Sequence, residues 1–397
     1  MGNSQVKGAL KLSILLSLSL AHFLNDAFQS VISAVYPIMK DKLEFTFAQI
    51  GAITLVYQIC ASVFQPAFGV LFDKKPSPWY LIIGSTSTCI GLFLIAYAGS
   101  LPAVMVSVVF IGLGSAIIHP ESSRLTRLAS GMRHGLAQSI FQVGGNAGSS
   151  LGPLLAALII APYGMRYILI FAVVAFIAIP IKYPIFNWYS KVIKRMKTER
   201  EMKVSVKKSS LPNKTVIFSL CVLLILIFSK YVYMASLTNF YTFYLIEKFD
   251  VTIQQSQLFL FVFLFAIALG TFVGGPVGDR IGRKVVMWVS ILGTAPFAIM
   301  LPHADLLWTS ILTFFIGFIL SSAFSAILVY AQDLLPGKVG LVSGFFFGFA
   351  FGIAGIAAAI LGNIADSTGV EYIYNVCAYL PLLGVAAIFL PNDRKSG

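Results

Sequence analysis

Four polar side chains share one face of the first apolar segment. His22, Asn25, Asp26 and Gln29 stand at positions i, i+3, i+4 and i+7 of the stretch "HFLNDAFQ", a spacing that places them on one side of a helix. Such a face must point to a cavity or to a neighbouring helix, and a carboxyl group beside an imidazole there can take up and release a proton. We predict proton coupling by Asp26 and His22, with Asn25 binding substrate; a static polar network between helices is the alternative.

A second chemically active group interrupts an apolar run at "HPESSR". Pro120 removes a helical hydrogen bond, and Glu121 and Arg124 are three residues apart, so they can pair on one face. Glu121 ranks second, after Asp26, as a residue for proton coupling. We predict that His119 and Arg124 bind substrate, although an arginine that only extends towards the membrane interface would explain Arg124 as well.

The next segment combines a polar face with a glycine stripe. Gln138 and Gln142 are four residues apart in "QSIFQVGGNAGSSLGP", and we predict that both bind substrate. Small residues that recur every four positions let two helices approach closely. The predicted packing residues are Gly144, Gly148, Gly152 and Pro153.

One lysine of the second half lies inside an apolar segment. Lys230, in "FSKYVYM", would be a costly buried ammonium that needs an acid or an anionic ligand. Tyr233 adds polar surface three residues later. We predict that both residues bind an anionic substrate; an ion pair of Lys230 with Asp26 or Glu121 is the alternative.

Membrane helices are the elements that must position these residues. The chain has 397 residues, of which 58% are hydrophobic and 11% are charged, whereas soluble domains carry roughly 25% charged residues. Its apolar runs do not alternate with polar residues as the strands of a membrane barrel do. We divide them into twelve segments, at residues 10–39, 47–71, 79–98, 101–127, 134–161, 165–187, 214–246, 254–276, 286–302, 305–332, 339–364 and 371–391.

The two halves of the chain repeat one pattern. "FTFAQIGAI" aligns with "VTIQQSQLF", and the same offset pairs Gly69 with Gly275 and Asp73 with Asp279. We therefore predict an all-α integral membrane protein with twelve transmembrane helices in two six-helix repeats. The repeats would occupy residues 1–187 and 214–397, with a basic cytoplasmic linker at 188–213 that includes a short amphipathic helix.

The distribution of charge predicts the orientation. Most of the 28 Lys and Arg residues fall in the linker and in alternate connections, and such residues accumulate in cytoplasmic loops. Both termini are therefore expected in the cytoplasm. The net charge of +13 has the same origin, so we expect the lipid bilayer rather than nucleic acid as a partner.

The remaining motifs argue against other classes of membrane protein. The four cysteines and four histidines are scattered, so neither a metal site nor a cofactor is expected. A nucleotide-binding loop of the form G-x-x-x-x-G-K-[ST] does not occur. These features disfavour an ATP-driven pump and a membrane enzyme.

The stretch "GPVGDRIGRK" carries the most specific pattern. It resembles the loop signature G-x-x-x-D-R-x-G-R-K of the major facilitator superfamily, which joins the second and third helices of a repeat. The first-half copy, "GVLFDKKPSP", keeps the glycine and the aspartate and then departs. The resemblance implies a gating role for Gly69, Asp73, Gly275, Asp279, Arg280, Gly282, Arg283 and Lys284.

Longer stretches carry a closer resemblance. "HPESSRLTRLASGMRHGLAQ", "LLILIFSKYVYMAS" and "GFILSSAFSAILVYAQDLLPG" are similar to the fosmidomycin resistance family of bacterial drug exporters within this superfamily. The resemblance implies a monomeric inner-membrane antiporter that exports a small phosphonate anion in exchange for protons. An uptake symporter for an organic anion and, less favoured, a membrane enzyme remain the alternatives.

Overall fold

The computed structural model describes residues 10–131, 133–200, 212–335 and 338–391, and for residues 196–200, 275, 276 and 279 it describes the backbone alone. All elements in these ranges are helical, and no strand occurs in them. The predicted all-α class is therefore confirmed.

Six helices form the first half. They are α1 Leu12–Ala34, α2 Phe47–Lys74, α3 Tyr80–Ala96, α4 Leu101–Ala129, α5 His134–Tyr163 and α6 Met165–Arg195. A short helix, Tyr36–Leu43, follows α1. After Pro153, α5 contains a π-helical turn at Ala156–Ile160.

Six further helices form the second half. They are α7 Asn213–Phe249, α8 Ile253–Ile281, α9 Arg283–His303, α10 Leu306–Leu334, α11 Val339–Thr368 and α12 Val370–Phe389. The twelve helices match the twelve predicted segments in order. Ten of them are long and apolar enough to cross a membrane. Of the other two, α3 is apolar but has 17 residues, and α1 has 23 residues but carries the polar face that begins at His22.

The aligned repeat motifs are the starts of two equivalent helices. The Thr46 hydroxyl accepts a hydrogen bond from the backbone N–H of Gln49, whose side chain in turn accepts one from the backbone N–H of Thr46. Thr252 and Gln255 form the same reciprocal pair at the start of α8. These capping boxes satisfy backbone donors that a helix leaves unpaired at its first turn, which explains why the two stretches are alike.

The halves meet along two pairs of helices. Helix α2 packs against α11, and α5 packs against α8. A methyl group added at Gly344 or Gly348 of α11 would come within 2.5 or 2.7 Å of a backbone carbonyl oxygen of α2. Only glycine permits this approach of two backbones, so the interface between the halves depends on small residues.

The predicted linker begins inside a helix. Tyr183–Arg200 continues α6 across residue 188 and buries Ile185, Tyr189 and Ile193, which share one face at a spacing of four residues. This face packs against α1 among other neighbours. Residues 201–211 of the predicted linker lie outside the described residues. We call the end of the bundle where the linker joins the halves the linker end, and the other the opposite end.

Candidate functional site

A cavity of about 240 Å³ lies between the two halves. Residues of α1, α2, α4 and α5 line it from the first half, and residues of α7, α8 and α11 line it from the second. Pockets for drug-sized ligands begin at roughly 300 Å³, so the cavity in this conformation suits a small solute.

Two hydrogen bonds cross between the halves at the cavity wall. The Thr54 hydroxyl of α2 donates to Asn239 Oδ1 of α7 at 2.9 Å. The Asn146 amide of α5 donates to the Thr271 hydroxyl of α8 at 2.6 Å. The wall therefore includes polar contacts that must rearrange if the halves move apart.

Three titratable side chains converge in this cavity. His22 Nε2 lies 3.1 Å from Asp26 Oδ2, and His119 Nε2 lies 3.5 Å from Asp26 Oδ1. Both imidazoles are buried, whereas the Asp26 side chain is 15% exposed. We name His22, Asp26 and His119 the His–Asp–His cluster.

Hydrogen bonds on the far side of each ring hold the two imidazoles. His22 Nδ1 donates to the Phe141 carbonyl of α5 at 2.9 Å, and the imidazole stacks on the Phe141 ring with centroids 4.0 Å apart. Gly145 provides the space for His22, because a methyl group there would overlap the imidazole. His119 Nδ1 lies 3.0 Å from both the carbonyl oxygen and the hydroxyl oxygen of Ser115, one turn back on α4. A neighbouring helix thus positions His22, and the preceding turn of its own helix positions His119.

Close packing of α1 on α5 holds the cluster together. Methyl groups at Gly144, Gly148 and Gly152 would overlap atoms of Ser19, Phe23 and Ser30 of α1. The glycine stripe therefore faces α1, and Pro153 precedes the π-helical turn of α5.

The other predicted acid, Glu121, lies away from the cavity. Its carboxylate accepts two hydrogen bonds of 2.9 Å from Arg124, the pair that the i, i+3 spacing predicts. Arg124 also donates to the Tyr189 hydroxyl. Both members of the pair are buried, and neither lines the cavity.

Lys230 is buried without an acidic partner among the described residues. Its Nζ lies 5.7 Å from the ring centroid of Tyr231 and 5.4 Å from that of Phe324. Phe324 contacts Phe347, which lines the cavity and contacts His119. One aromatic layer therefore separates the Lys230 ammonium from the cavity.

The remaining predicted substrate-binding residues are divided between the cavity and its surroundings. Gln142 lines the cavity, as does His119. Asn25 donates to Asp26 Oδ1 at 3.0 Å. Gln138 accepts a hydrogen bond from Ser123, and Tyr233 is buried; neither lines the cavity.

Some cavity residues did not emerge from the sequence. Thr54, Asn146 and Asn239 line it, and each is a polar residue within an apolar run. That feature by itself marks a candidate functional position in a membrane helix. The polar residues predicted to be functional in α1, α4, α5 and α7 do not include these three positions.

The cluster has the composition of proton-binding and of metal-binding sites alike. Its ligand atoms lie within 4.8 Å of one another. The direct Nε2–Oδ distances of 3.1 and 3.5 Å are within the range of ion pairs. We interpret each contact as an N–H···O hydrogen bond from an imidazole to the Asp26 carboxylate. The expectation that the protein binds no metal stays a prediction.

The signature residues lie at the linker end. Asp73 Oδ2 accepts a hydrogen bond of 3.3 Å from the backbone N–H of Leu341, at the start of α11, and Gly69 faces the Gly340 backbone. Gly282 joins α8 to α9 with φ of +98°, a conformation that favours glycine. Arg280 and Lys284 flank this turn, while only the backbone is described at Gly275 and Asp279.

A shared acid connects the signature to the first half. The Asp333 carboxylate of α10 forms ion pairs with two guanidinium groups, with N–O distances of 2.6 Å to Arg283 of the signature and 3.1 Å to Arg127 of α4. Arg127 and Asp333 belong to different halves, so this ion-pair network joins the halves at the linker end.

Comparison with known proteins identifies the family to which this fold and these motifs belong. The sequence profile of the Major Facilitator Superfamily matches residues 18–243 and 222–397. The chain belongs to the major facilitator superfamily. It is thus a multi-pass membrane transporter, which the profile matches twice along the chain, with an overlap at residues 222–243.

Individual relatives agree with this membership of the major facilitator superfamily. The chain is 55% identical to the fosmidomycin resistance protein of Escherichia coli, over 98% of this chain and 96% of that one. It is 40% identical to the uncharacterized MFS-type transporter YfnC of Bacillus subtilis, over the same shares. The resemblance predicted from the sequence is confirmed. A crystal structure of the nucleoside transporter NupG has the same fold, with a TM-score of 0.67 and 16% identity over 95% of this chain and 99% of that chain.

Proposed function

We propose that this protein is a proton-coupled exporter of small anionic drugs such as fosmidomycin. It would act as a monomer in the bacterial inner membrane, with both termini in the cytoplasm, and exchange drug for protons by alternating access. The observation that carries the proposal is the His–Asp–His cluster in a cavity shared by the two halves. The choice of drug rests on the similarity to the Escherichia coli resistance protein.

The proton would be carried by Asp26 together with His22. Asp26 is the one carboxylate that lines the cavity in the described part of the chain, so it can meet solvent whenever the cavity opens. Glu121 is engaged by Arg124 and would contribute only if that pair separated. This geometry supports the ranking of Asp26 before Glu121.

Fosmidomycin has a phosphonate and a hydroxamate group, which need different partners. A hydroxamate hydroxyl donates hydrogen bonds and can replace an imidazole N–H at Asp26, which would couple drug entry to proton release. The phosphonate needs cations or amide donors. Gln142 and His119 already face the cavity, while Asn25, Gln138, Tyr233, Arg124 and Lys230 would need the rearrangement of opening to reach the drug.

A second candidate function is proton-driven uptake of an organic anion. A protonated His–Asp–His cluster is more positive than a deprotonated one, and a positive cavity attracts an anion. An anion that binds together with protons moves in the same direction as they do. The charge of the cluster therefore favours this alternative, whereas the similarity to a resistance protein favours export.

Drug susceptibility of expressing cells tests the proposed export. We expect the protein to raise the inhibitory concentration of fosmidomycin, and a protonophore or Asp26→Asn to remove the effect. Asp250→Asn is the matched control, because Asp250 is exposed with φ of +53°, a conformation that asparagine also adopts. Unchanged susceptibility on expression, or full resistance with Asp26→Asn at equal membrane abundance, would contradict the proposal.

A further inference from the structure

We propose that the His–Asp–His cluster is a two-proton site, in which Nε2 of His22 and Nε2 of His119 each carry a proton against the Asp26 carboxylate. The inference deepens the proposed proton coupling by giving its stoichiometry. It assigns to His119 a proton-carrying role, where the sequence had suggested substrate binding.

The hydrogen bonds on the far side of each ring determine which nitrogen atoms carry hydrogen. A carbonyl oxygen can only accept, so Nδ1 of His22 must donate to Phe141. Nδ1 of His119 lies 3.0 Å from both the carbonyl and the hydroxyl of Ser115, and because a hydroxyl can accept as well as donate, one hydrogen on Nδ1 satisfies both oxygens. A neutral imidazole has one N–H and one lone pair. If His22 were neutral, its Nε2 lone pair would therefore face the carboxylate. A neutral His119 would turn a lone pair either to the carboxylate or to the Ser115 carbonyl oxygen.

Such a contact is unfavourable in a buried site. The Nε2 atoms lie 3.1 and 3.5 Å from the two carboxylate oxygens, and His22 Nε2 has no other hydrogen-bond partner among the residues that the structure describes. Two acceptors in contact repel each other, and a buried polar atom left without a partner is unfavourable. One proton on each Nε2 converts both repulsions into charge-assisted hydrogen bonds.

Groups on the adjacent helices do not supply these protons. Tyr57 of α2 donates its hydroxyl to Gln29 at 2.6 Å, and the Tyr36 hydroxyl pairs with Thr54 at 2.7 Å. Helices α5 and α11 present Phe141, Phe347 and Phe351 to the two imidazoles.

Charged residues nearby are also turned away from the cluster. Tyr231 of α7 is the remaining titratable side chain that lines the cavity in the described ranges. Glu121 and Arg124 of α4 pair with each other, and Lys230 lies behind Phe324. The Asp26 carboxylate therefore faces the two imidazoles as its charged neighbours.

The two protons have a consequence for coupling. The cluster changes from a net charge of −1 without them to +1 with them, while Asp26 stays ionised. A carrier that loads and empties this site moves two protons in each cycle. The count is the same for exchange with the drug and for movement together with an anion.

Nitrogen NMR of the whole protein in lipid bilayers tests the site directly. The chain has four histidines, so 15N-histidine labelling gives few signals, which single His→Gln variants assign. We expect His22 and His119 both to have two protonated nitrogens near neutral pH. In Asp26→Asn both should become neutral with the proton on Nδ1, while His134, His303 and the Asp250→Asn control stay unchanged. A neutral His22 or His119 beside intact Asp26, or no response to Asp26→Asn, would overturn the inference; buffers contain EDTA so that no metal replaces the protons.

A transport measurement gives the stoichiometry independently. With the membrane potential clamped to zero in proteoliposomes, two coupled protons let one pH unit balance a drug gradient of about 100-fold, and one proton balances about tenfold. We expect about 100-fold for the native chain, and about tenfold for His119→Gln if it still transports. A tenfold ratio in the native chain would refute the two-proton site but leave proton coupling intact. Two imidazolium signals without any drug transport would instead contradict the proposed function alone.

Discussion

Asp26 and Glu121 both lie within helices of the first half, but their neighbours give them different chemistry. Asp26 meets two imidazoles, which can gain and lose protons, and it faces a cavity. Glu121 meets a guanidinium, which stays charged at any physiological pH, and the hydroxyl of Tyr189 caps the pair. A permanent cation makes Glu121 part of a structural ion pair, whereas the imidazoles beside Asp26 are groups that can themselves gain and lose protons.

This difference predicts that two conservative changes lower stability to unequal extents. Glu121→Gln leaves the buried Arg124 without its counter-ion, and breaking a buried pair in this way costs about 3–5 kcal/mol. We expect a clearly lower melting temperature for purified Glu121→Gln and a nearly native one for Asp26→Asn. The double variant Glu121→Gln with Arg124→Met removes both charges and should recover much of the loss. A greater loss of stability in Asp26→Asn than in Glu121→Gln would show that the roles are reversed.

At the scale of elements, α2 and α11 cap each other at both ends. Asp73, near the end of α2, accepts from the first turn of α11 at the linker end. Asp366, near the end of α11, accepts from the backbone N–H groups of Phe47 and Ala48 in the first turn of α2, at 3.0 and 2.8 Å. A carboxylate at a helix N-terminus is stabilised by the unpaired N–H groups and the helix dipole. Each contact therefore joins the two halves at one end of the bundle.

The two caps predict opposite shifts in conformation. Asp366→Asn weakens the contact at the opposite end and should favour opening there, while Asp73→Asn should favour opening at the linker end. A charge at a helix terminus contributes about 1 kcal/mol, which corresponds to about a fivefold change in population.

Distances between spin labels placed at each end, in a background with the four cysteines replaced, would measure this shift. Each variant serves as the control for the other. Lengthening at the same end in both variants, or at neither end, would show that the caps do not control opening.

The sequence predicts some of these elements and not others, for physical reasons. The repeated stretches that begin at Thr46 and Thr252 and the polar face of α1 are local patterns, so the sequence alone shows them; that both stretches form capping boxes came from the structure. The contact of His119 with Asp26 depends on the position of α4 along the axis of α1. The aromatic side chain over Lys230 depends on how α10 packs. Such contacts are set by tertiary structure, and Asp366 has no local pattern that marks it as a partner of α2.

The whole molecule is two six-helix halves around a small cavity lined by polar and apolar side chains, and contacts between the halves hold both ends. Asp333 with its two arginines and Asp73 hold the linker end, and Asp366 holds the opposite end. A transporter needs such an arrangement, because opening both ends at once would let solute and protons leak through. The cavity would then open to either side in turn while the His–Asp–His cluster stays at its centre.

Fosmidomycin transport into proteoliposomes under an imposed pH gradient tests the central claim of proton-coupled export most directly. The assay compares vesicles with an acidic lumen and vesicles with an alkaline lumen, at zero membrane potential and with or without a protonophore. Exchange predicts drug accumulation when the lumen is acidic, because protons leave as drug enters, and no accumulation in Asp26→Asn. Accumulation only when the lumen is alkaline would contradict export by exchange and identify a symporter, and accumulation that ignores the gradient would contradict proton coupling itself.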